Sequence, residues 1–511
     1  MLIGVLLFSI FFLVLSVRRI EWAVAFLLFA LPSYLIRFKI FGIPSTILEV
    51  MILVVFTVWF FQNKSWILGN LKQKFSIQRS AFRIRRYPFD IEMVLVLVIA
   101  FISVGVAGFS NSAFGIFKAY FFEPLLMYIV IFNVILNGAE RSEESRTIKT
   151  GSFAFAQDDK FKIIIFPLLL SASIVSLLAI YQKFTGNLID NPLWAAESTR
   201  RVVSVFGYPN AVALYLGPLL MLFLGWVFSF VIPAEAGIQK KADLKIFNSQ
   251  FSIFNKFSIF NFQTILIFLV IILSFLSIIF AKSIGGILGV VAGLIVFGIL
   301  VSRKSRITTI GILIFASICV ISFASIRVQA LKYVTLNDFS GQVRKVGWEE
   351  AWSMLKDGRL LFGAGLANFQ NAVKPYHLGG FFYNKDNDPN FHRLTVFNEE
   401  YRKAHWQPLE IYMYPHNIFL NFWSELGLAG MLVFIWIIIK FYILGIKLII
   451  NYQLSIINKY FVIGLLSAMT VIIVHGLVDV PYFKNDLSIM FWVLIYLMGV
   501  INLENKKGES N

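Results

Sequence analysis

The strongest constraint on this chain is a series of apolar runs, each about the length a helix needs to cross roughly 30 Å of hydrocarbon. They lie near 2–17, 20–36, 45–61, 91–107, 116–137, 163–181, 207–231, 264–280, 284–301, 307–325, 417–439, 460–480 and 487–503, thirteen in all. The runs are solidly apolar, where a β-barrel would alternate. Hydrophobic residues make up 58% of the chain and charged residues 14%, with a mean hydropathy of +0.78. A soluble fold of this length would not hide that much apolar surface. The expected fold is an all-α polytopic membrane protein of about 12–13 transmembrane helices with one large extracytoplasmic loop.

Charge sets the orientation. The interval 63–90 carries Lys64, Lys72, Lys74, Arg79, Arg83, Arg85 and Arg86 with no acid before Asp90, and Arg303-Lys304-Ser305-Arg306 forms a second basic turn. Short basic loops stay cytoplasmic. Counting from them, Ile326–Glu410, Gln182–Phe206 and the Ala281–Ser283 turn fall outside, Lys506-Lys507 falls inside, and Met1 falls outside. If the first two runs form one re-entrant unit, the count is twelve. The expected domains are 1–325 (about ten spans), 326–410 (the outer loop) and 411–511 (about three spans). The expected location is the cytoplasmic (inner) membrane, with the active face extracytoplasmic. The start of the chain lacks a basic region and a cleavage site, so the first run is expected to be retained.

The net charge of +17 fits positive-inside loops and attraction to anionic lipid. It is spread over many loops, which argues against nucleic acid as a partner. The single cysteine, Cys319, excludes an internal disulfide and a cysteine metal cluster. The segment 248–263 repeats Phe-Ser-Ile-Phe-Asn at 251–255 and 257–261, 451–458 echoes it, and 138–162 mixes acids and bases; all three read as tolerated insertions.

Ionisable groups within apolar runs are costly and therefore informative. They are Glu49, Glu123 beside Pro124, Lys282 at the turn before Ser283-Ile284-Gly285-Gly286, and His475 with Asp479, four apart and so expected on one helix face. Each suits either a helix-packing polar group or the wall of a charged cavity.

The candidate chemistry lies on the outer side. In Tyr414-Pro415-His416-Asn417, Pro415 suits the first turn of a helix or the residue ahead of it. His416 then stands at the mouth of the span, either capping backbone or taking a proton from an acceptor hydroxyl. Glu425, two and a half turns deeper, is out of its reach and suits an arginine partner from elsewhere. Arg344, Trp348, Ala351, Trp352 and Leu355 share one amphipathic face, expected to lie on the membrane with its tryptophans among the headgroups. Arg344 offers a planar fork to phosphate oxygens. Arg200 and Arg201 sit against the positive-inside tendency, which points to a bound anion. Phe362-Gly363-Ala364-Gly365 reads as a turn and lacks the P-loop pattern. Glu349-Glu350 and Glu399-Glu400 read as solvated. Asp386-Asn387-Asp388 has some calcium-loop composition without the rest of an EF-hand. The histidines show no zinc spacing, and no nucleophile elbow is present.

The run Arg201-x-x-Ser-x-Phe-Gly-x-Pro-Asn210, the Ser283-Ile-Gly-Gly286 turn, Arg344 with Trp348 and Ala351, Phe362-Gly-Ala-Gly-Leu-x-x-Phe369, and Pro415-His-Asn417 leading to Glu425-Leu-Gly427 together resemble the O-antigen ligase and polymerase superfamily. The resemblance covers most of the chain from about Ile40. It implies transfer of a glycan from undecaprenyl pyrophosphate to an acceptor hydroxyl, with no cofactor and no metal. The acceptor is a glycan, a lipid or a protein. It further implies His416 as base and Arg201 and Arg344 on the pyrophosphate, with Arg200 a neighbour that could substitute for Arg201. Arg200, Trp348, Asn210, Glu425 and Lys282 are expected as substrate-binding residues, Lys282 being less typical of the family. Ligase and polymerase are not separated. A transporter or flippase would use Glu49, His475 and Asp479 as pathway groups, but no inverted repeat relates the halves, and a long outer loop has little use there. A structural scaffold would leave the arginine and histidine placement without a reason.

Overall fold

A membrane interior offers backbone groups no water, so each N–H and C=O must be paired within the segment, and a helix does this. The computed structural model describes residues 2–40, 43–75, 88–146, 155–242, 262–450 and 456–509. The repeats at 251–255 and 257–261, the core of the 138–162 segment at 147–154, most of 451–458, and 76–87 of the basic loop lie outside the described residues.

The chain opens with α1 (Leu2–Arg18), α2 (Ile20–Phe29), a 3-10 turn Leu31–Leu35 and an antiparallel hairpin, β1 (Arg37–Ile40) and β2 (Ile43–Thr46). Then come α3 (Ile47–Phe75), α4 (Asp90–Val106), α5 (Asn111–Ile116), a π turn Phe117–Phe122, α6 (Glu123–Arg146), α7 (Phe155–Thr185) and α8 (Pro192–Ala195). The middle holds α9 (Pro209–Ala242), α10 (Phe262–Phe280), α11 (Ile284–Val301), α12 (Arg303–Ser322) and α13 (Ala324–Val334). The outer loop is built from α14 (Phe339–Met354), α15 (Phe369–Val373), β3 (Gly380–Phe382), α16 (Phe391–Phe397), α17 (Glu399–His405) and β4 (Trp406–Pro408), which pairs antiparallel with β3. Three helices close the chain: α18 (Ile418–Ile450), α19 (Ile456–Gly476) and α20 (Asn485–Glu509).

The protein is an all-α polytopic membrane protein. Among the described residues, nine helices are long and apolar enough to cross a membrane, and α1, α2 and α10 are shorter apolar helices. Every run expected to span carries a helix, but the second differs: α2 stops at Phe29, and the 3-10 turn with Pro32 takes over. Proline at 32 has no N–H to continue the ladder.

At the centre, α9 packs against α19, and α11 and α10 pack around that pair. An added Cβ at Gly286 would stand 2.3 Å from the Ala213 Cβ, so this glycine sets how closely α11 approaches α9 at their outer ends. By contrast, α12 packs on α11 and buries no residue, leaving its apolar side chains for lipid.

Buried polar groups within the bundle are mostly matched. Glu49 accepts from Lys118 and from Ser45 Oγ, and Glu92 accepts from Lys440 Nζ and Trp436 Nε1 at 2.8 Å each. Pro124 cannot donate to the Tyr120 carbonyl one turn back, and the Tyr482 hydroxyl donates to it instead at 2.9 Å.

The outer loop has a small core of its own: Ala351, Met354, Leu355, Ala364, Phe369, Ala372 and Val373, with Trp423 of α18 packed against it. The apolar face of α14 therefore turns into this core, where membrane contact was expected; Trp352 packs edge-on against Trp423 at 5.5 Å.

Candidate functional site

Two seams join the outer loop to the bundle. The first is structural. Gly427 breaks the regularity of α18 at φ 76°, ψ −179°, a backbone region open only to glycine. Into that break fits the 361–367 turn. Leu428 N–H donates to the Leu361 carbonyl at 3.0 Å and Ala364 N–H to the Ser424 carbonyl at 2.7 Å. Glu425 is buried and accepts the Ala367 N–H at 2.7 Å, while its carbonyl accepts from Ser103 of α4. The expected arginine partner is thus corrected: a carboxylate deep in an apolar helix is satisfied here by loop backbone. The acid is enclosed beneath the loop. In the 363–366 turn the Gly363 N–H donates to the Arg359 carbonyl within the loop, and the Ala364 and Leu366 N–H groups donate to the Ser424 and Ser103 carbonyls of the bundle.

The second seam gathers most of the candidate residues. Helix α18 begins at Ile418, with Asn417 as its cap (Leu420 N–H to Oδ1, 3.0 Å). Pro415 and His416 therefore precede the helix instead of opening it. His416 has φ 48°, a left-handed conformation uncommon outside glycine and frequent at functional sites. Its ring meets Tyr412 and Tyr414 edge-on at 5.2 and 5.4 Å. Its Nδ1 faces Asp479 Oδ1 at 3.8 Å, a charge-pair distance, and is buried without a hydrogen-bond partner among the described residues.

Asp479 was expected on one helix face with His475. The structure ends α19 at Gly476 and places Asp479 in the following turn, where it is fully buried. Burial alone would push its carboxyl up; the facing His416 imidazole, then His475 and the Val480 N–H, outweigh this and hold it well below the usual carboxylate range. Burial also pushes the neighbouring Tyr414 hydroxyl up to about 12, with the Asp479 charge adding to the effect, so it stays protonated.

Both arginines reach this place. Arg344 donates from Nε to the Val478 carbonyl at 2.6 Å and from Nη1 to Ser340 O and Oγ at 3.1 and 2.6 Å. Arg201 donates from Nε to the Ala281 carbonyl at 3.0 Å and from Nη2 to Asn210 Oδ1 and the Lys282 carbonyl at 3.3 and 3.4 Å. Each guanidinium is anchored along one side and keeps one terminal nitrogen, Nη2 of Arg344 and Nη1 of Arg201, without a partner among the described residues. The two are close enough that Arg344, after burial, lowers the Arg201 pKa. Two like charges held together are relieved by an anion between them. A small pocket lined by Arg344, Gly347, Glu350, Tyr412, Tyr414 and His416 opens here.

The remaining expected residues divide. Asn210 lies in the seam, donating from Nδ2 to Asp479 Oδ2 at 3.1 Å. Lys282 contributes its carbonyl, on a backbone at φ 50°, and its side chain is exposed. Trp348 is half buried, with Nε1 unpartnered among the described residues. Arg200 is not brought in: it donates to the carbonyls of Ala195, Lys183 and Phe184 and staples its own loop. Glu350, expected in solvent, is buried against His377 Nδ1 at 2.9 Å and the Leu378 N–H. Asp386 and Asp388 are taken up by His405 Nε2 at 3.2 Å and the Tyr401 hydroxyl at 3.0 Å. Among the described residues no group of three or more His, Cys, Asp or Glu gathers to hold a metal. Sequence reasoning gave no role to Tyr412 or Tyr414; the only signal was their adjacency to Pro415-His416.

Residues 269–435 match the O-antigen ligase family. This stretch is similar to the O-antigen ligase domain. The match supports assignment to the O-antigen ligase/polymerase superfamily, and the apolar helices make the chain a multi-pass membrane protein. The ligase domain runs from α10 through the outer loop into the first half of α18. It contains Lys282, Arg344, Trp348, His416 and Glu425, while Arg201, Asn210 and Asp479 join it from flanking segments. No curated protein matches the sequence.

Proposed function

We propose that the enzyme transfers a glycan from undecaprenyl pyrophosphate to an acceptor hydroxyl at the outer face of the cytoplasmic membrane. The observation that carries this reading is the convergence of two half-free guanidiniums with a histidine–aspartate pair at one end of the bundle. Asp479 holds the Nδ1 side of His416, which leaves Nε2 as the nitrogen with a lone pair for the acceptor. His416 takes the hydroxyl proton as the oxygen attacks the anomeric carbon. The bond from that carbon to the phosphate oxygen breaks, and its electron pair stays on the pyrophosphate, which remains on the lipid. The free N–H groups of Arg201 and Arg344 stabilise the charge that develops there. The basic loops, cytoplasmic by the positive-inside tendency, put this end of the bundle outside.

The test is transfer from purified glycan-pyrophosphate lipid in detergent. Product on an added lipid, protein or core-glycan acceptor, with release of undecaprenyl pyrophosphate, supports a ligase. Lengthened chains from donor alone support a polymerase. Absence of any transfer, with precursor trapped on the inner leaflet of cells lacking the protein, would replace the reading with a flippase.

A further inference from the structure

Asn210 occupies an unusual place between the two halves of the site. It lies in the first turn of α9, directly after Pro209. Its Oδ1 accepts from Arg201 Nη2 at 3.3 Å, and its Nδ2 donates to Asp479 Oδ2 at 3.1 Å. The amide orientation is forced, because a guanidinium only donates and a carboxylate only accepts. Asp479 then meets His416 through its other oxygen at 3.8 Å. One short side chain thus joins a cation with a free nitrogen to the acid that faces the base. We infer that Asn210 is a positioning residue that couples anion binding at Arg201 to the orientation of His416, and that it does not itself bind substrate.

The physical basis is the polarity of the amide. The guanidinium draws charge toward Oδ1, which strengthens the Nδ2 donor on Asp479; linked hydrogen bonds polarise one another in this way. An anion arriving at Arg201 competes for the cation and weakens that polarisation, so the Asp479–His416 pair responds to the presence of donor. Such coupling is reciprocal and typically amounts to about 5–150-fold between sites. A substrate ligand would differ: its loss would raise the donor KM and leave the imidazole indifferent to the anion.

The inference rests on the proposed function for its catalytic meaning, but the coupling is measurable without turnover. The experiment follows the His416 imidazole by NMR in histidine-labelled full-length protein in detergent, titrated with inorganic pyrophosphate. His416→Ala assigns the signal, and Asn210→Ala and Asn210→Asp serve as variants. Asn210→Asp is isosteric; it keeps an acceptor for Arg201 and loses the donor to Asp479. Pyrophosphate should shift the His416 signal in wild type; Asn210→Ala should bind pyrophosphate within about threefold of wild type yet lose the shift, and Asn210→Asp, whose added charge sits on Arg201, should bind more weakly and lose the shift at saturation. Equal shifts in wild type and Asn210→Asp would overturn the inference, as would no shift in wild type at saturating pyrophosphate. In the transfer assay, Asn210→Ala should lower kcat about tenfold with donor KM within about twofold, the pattern of a lost transition-state interaction. A raised KM with unchanged kcat would make Asn210 a substrate ligand. Wild type that shows the NMR coupling but transfers nothing would contradict the proposed function and leave the coupling standing.

Discussion

The two seams of the outer loop use the same kinds of residue to opposite ends. At Glu425 and Gly427 a buried acid and a strained glycine bind loop to helix, and Oε2 of the acid and the Leu428 and Ala364 N–H groups find backbone partners. At His416 and Asp479 a buried acid and a strained residue also meet, but polar capacity is left over: among the described residues Nδ1 of His416 has no hydrogen bond, and each arginine keeps a terminal nitrogen without a partner. Satisfied polar networks rigidify a fold. Unsatisfied ones, held in place by such a frame, are where a substrate completes the bonding.

The comparison breaks if the two seams fail to respond differently. Large effects, exceeded only by that at His416, are expected at the arginines: Arg201→Ala or Arg344→Ala should each lower turnover about 10²–10³-fold, as for other lost donors to developing charge, with normal amounts of protein in membranes. Arg344→Lys should recover little of this, because a lysine has one nitrogen and cannot hold Val478 and Ser340 while meeting an anion; full activity in that variant would remove Arg344 from the site. At the other seam, Gly427→Ala should act on stability. Its Cβ would stand 2.2 Å from the Leu361 carbonyl oxygen, and a cost of about 1–3 kcal/mol for the backbone alone should appear as a lower Tm and faster proteolysis in the 355–365 region. Glu425→Gln should be milder, near 1 kcal/mol, since an amide oxygen still accepts the Ala367 N–H; turnover per folded molecule should match wild type, and a selective loss of turnover would return Glu425 to the reactive side. The smallest expected effect is from a chelator: with Asp386 and Asp388 held by His405 and Tyr401, turnover should stay within about twofold.

How far the sequence disclosed this follows from what sequence patterns encode. Apolar runs located the helices because span length is a property of contiguous residues. His416, Arg344 and Arg201 stood out because charged or titratable groups beside apolar runs, on the side expected to be free of basic loops, have few other reasons to be there. What stayed hidden were partners distant in sequence. Asn210 and Asp479 touch across the bundle, and no local pattern joins them. Glu425 was misread because its partner is a backbone N–H, which every residue but proline carries. Glu349 and Glu350 were read together, although neighbours on a helix point about 100° apart, so one is exposed and the other buried. Asp479 looked helical by its spacing from His475, but α19 ends in between.

The most direct test of the central claim is transfer by purified protein from glycan-pyrophosphate lipid, comparing wild type with His416→Ala. The account predicts product from wild type and a loss of about 10²–10⁴-fold in the variant, the range for a positioned general base, with unchanged folding. Equal product from both would contradict it and move the proton to another group.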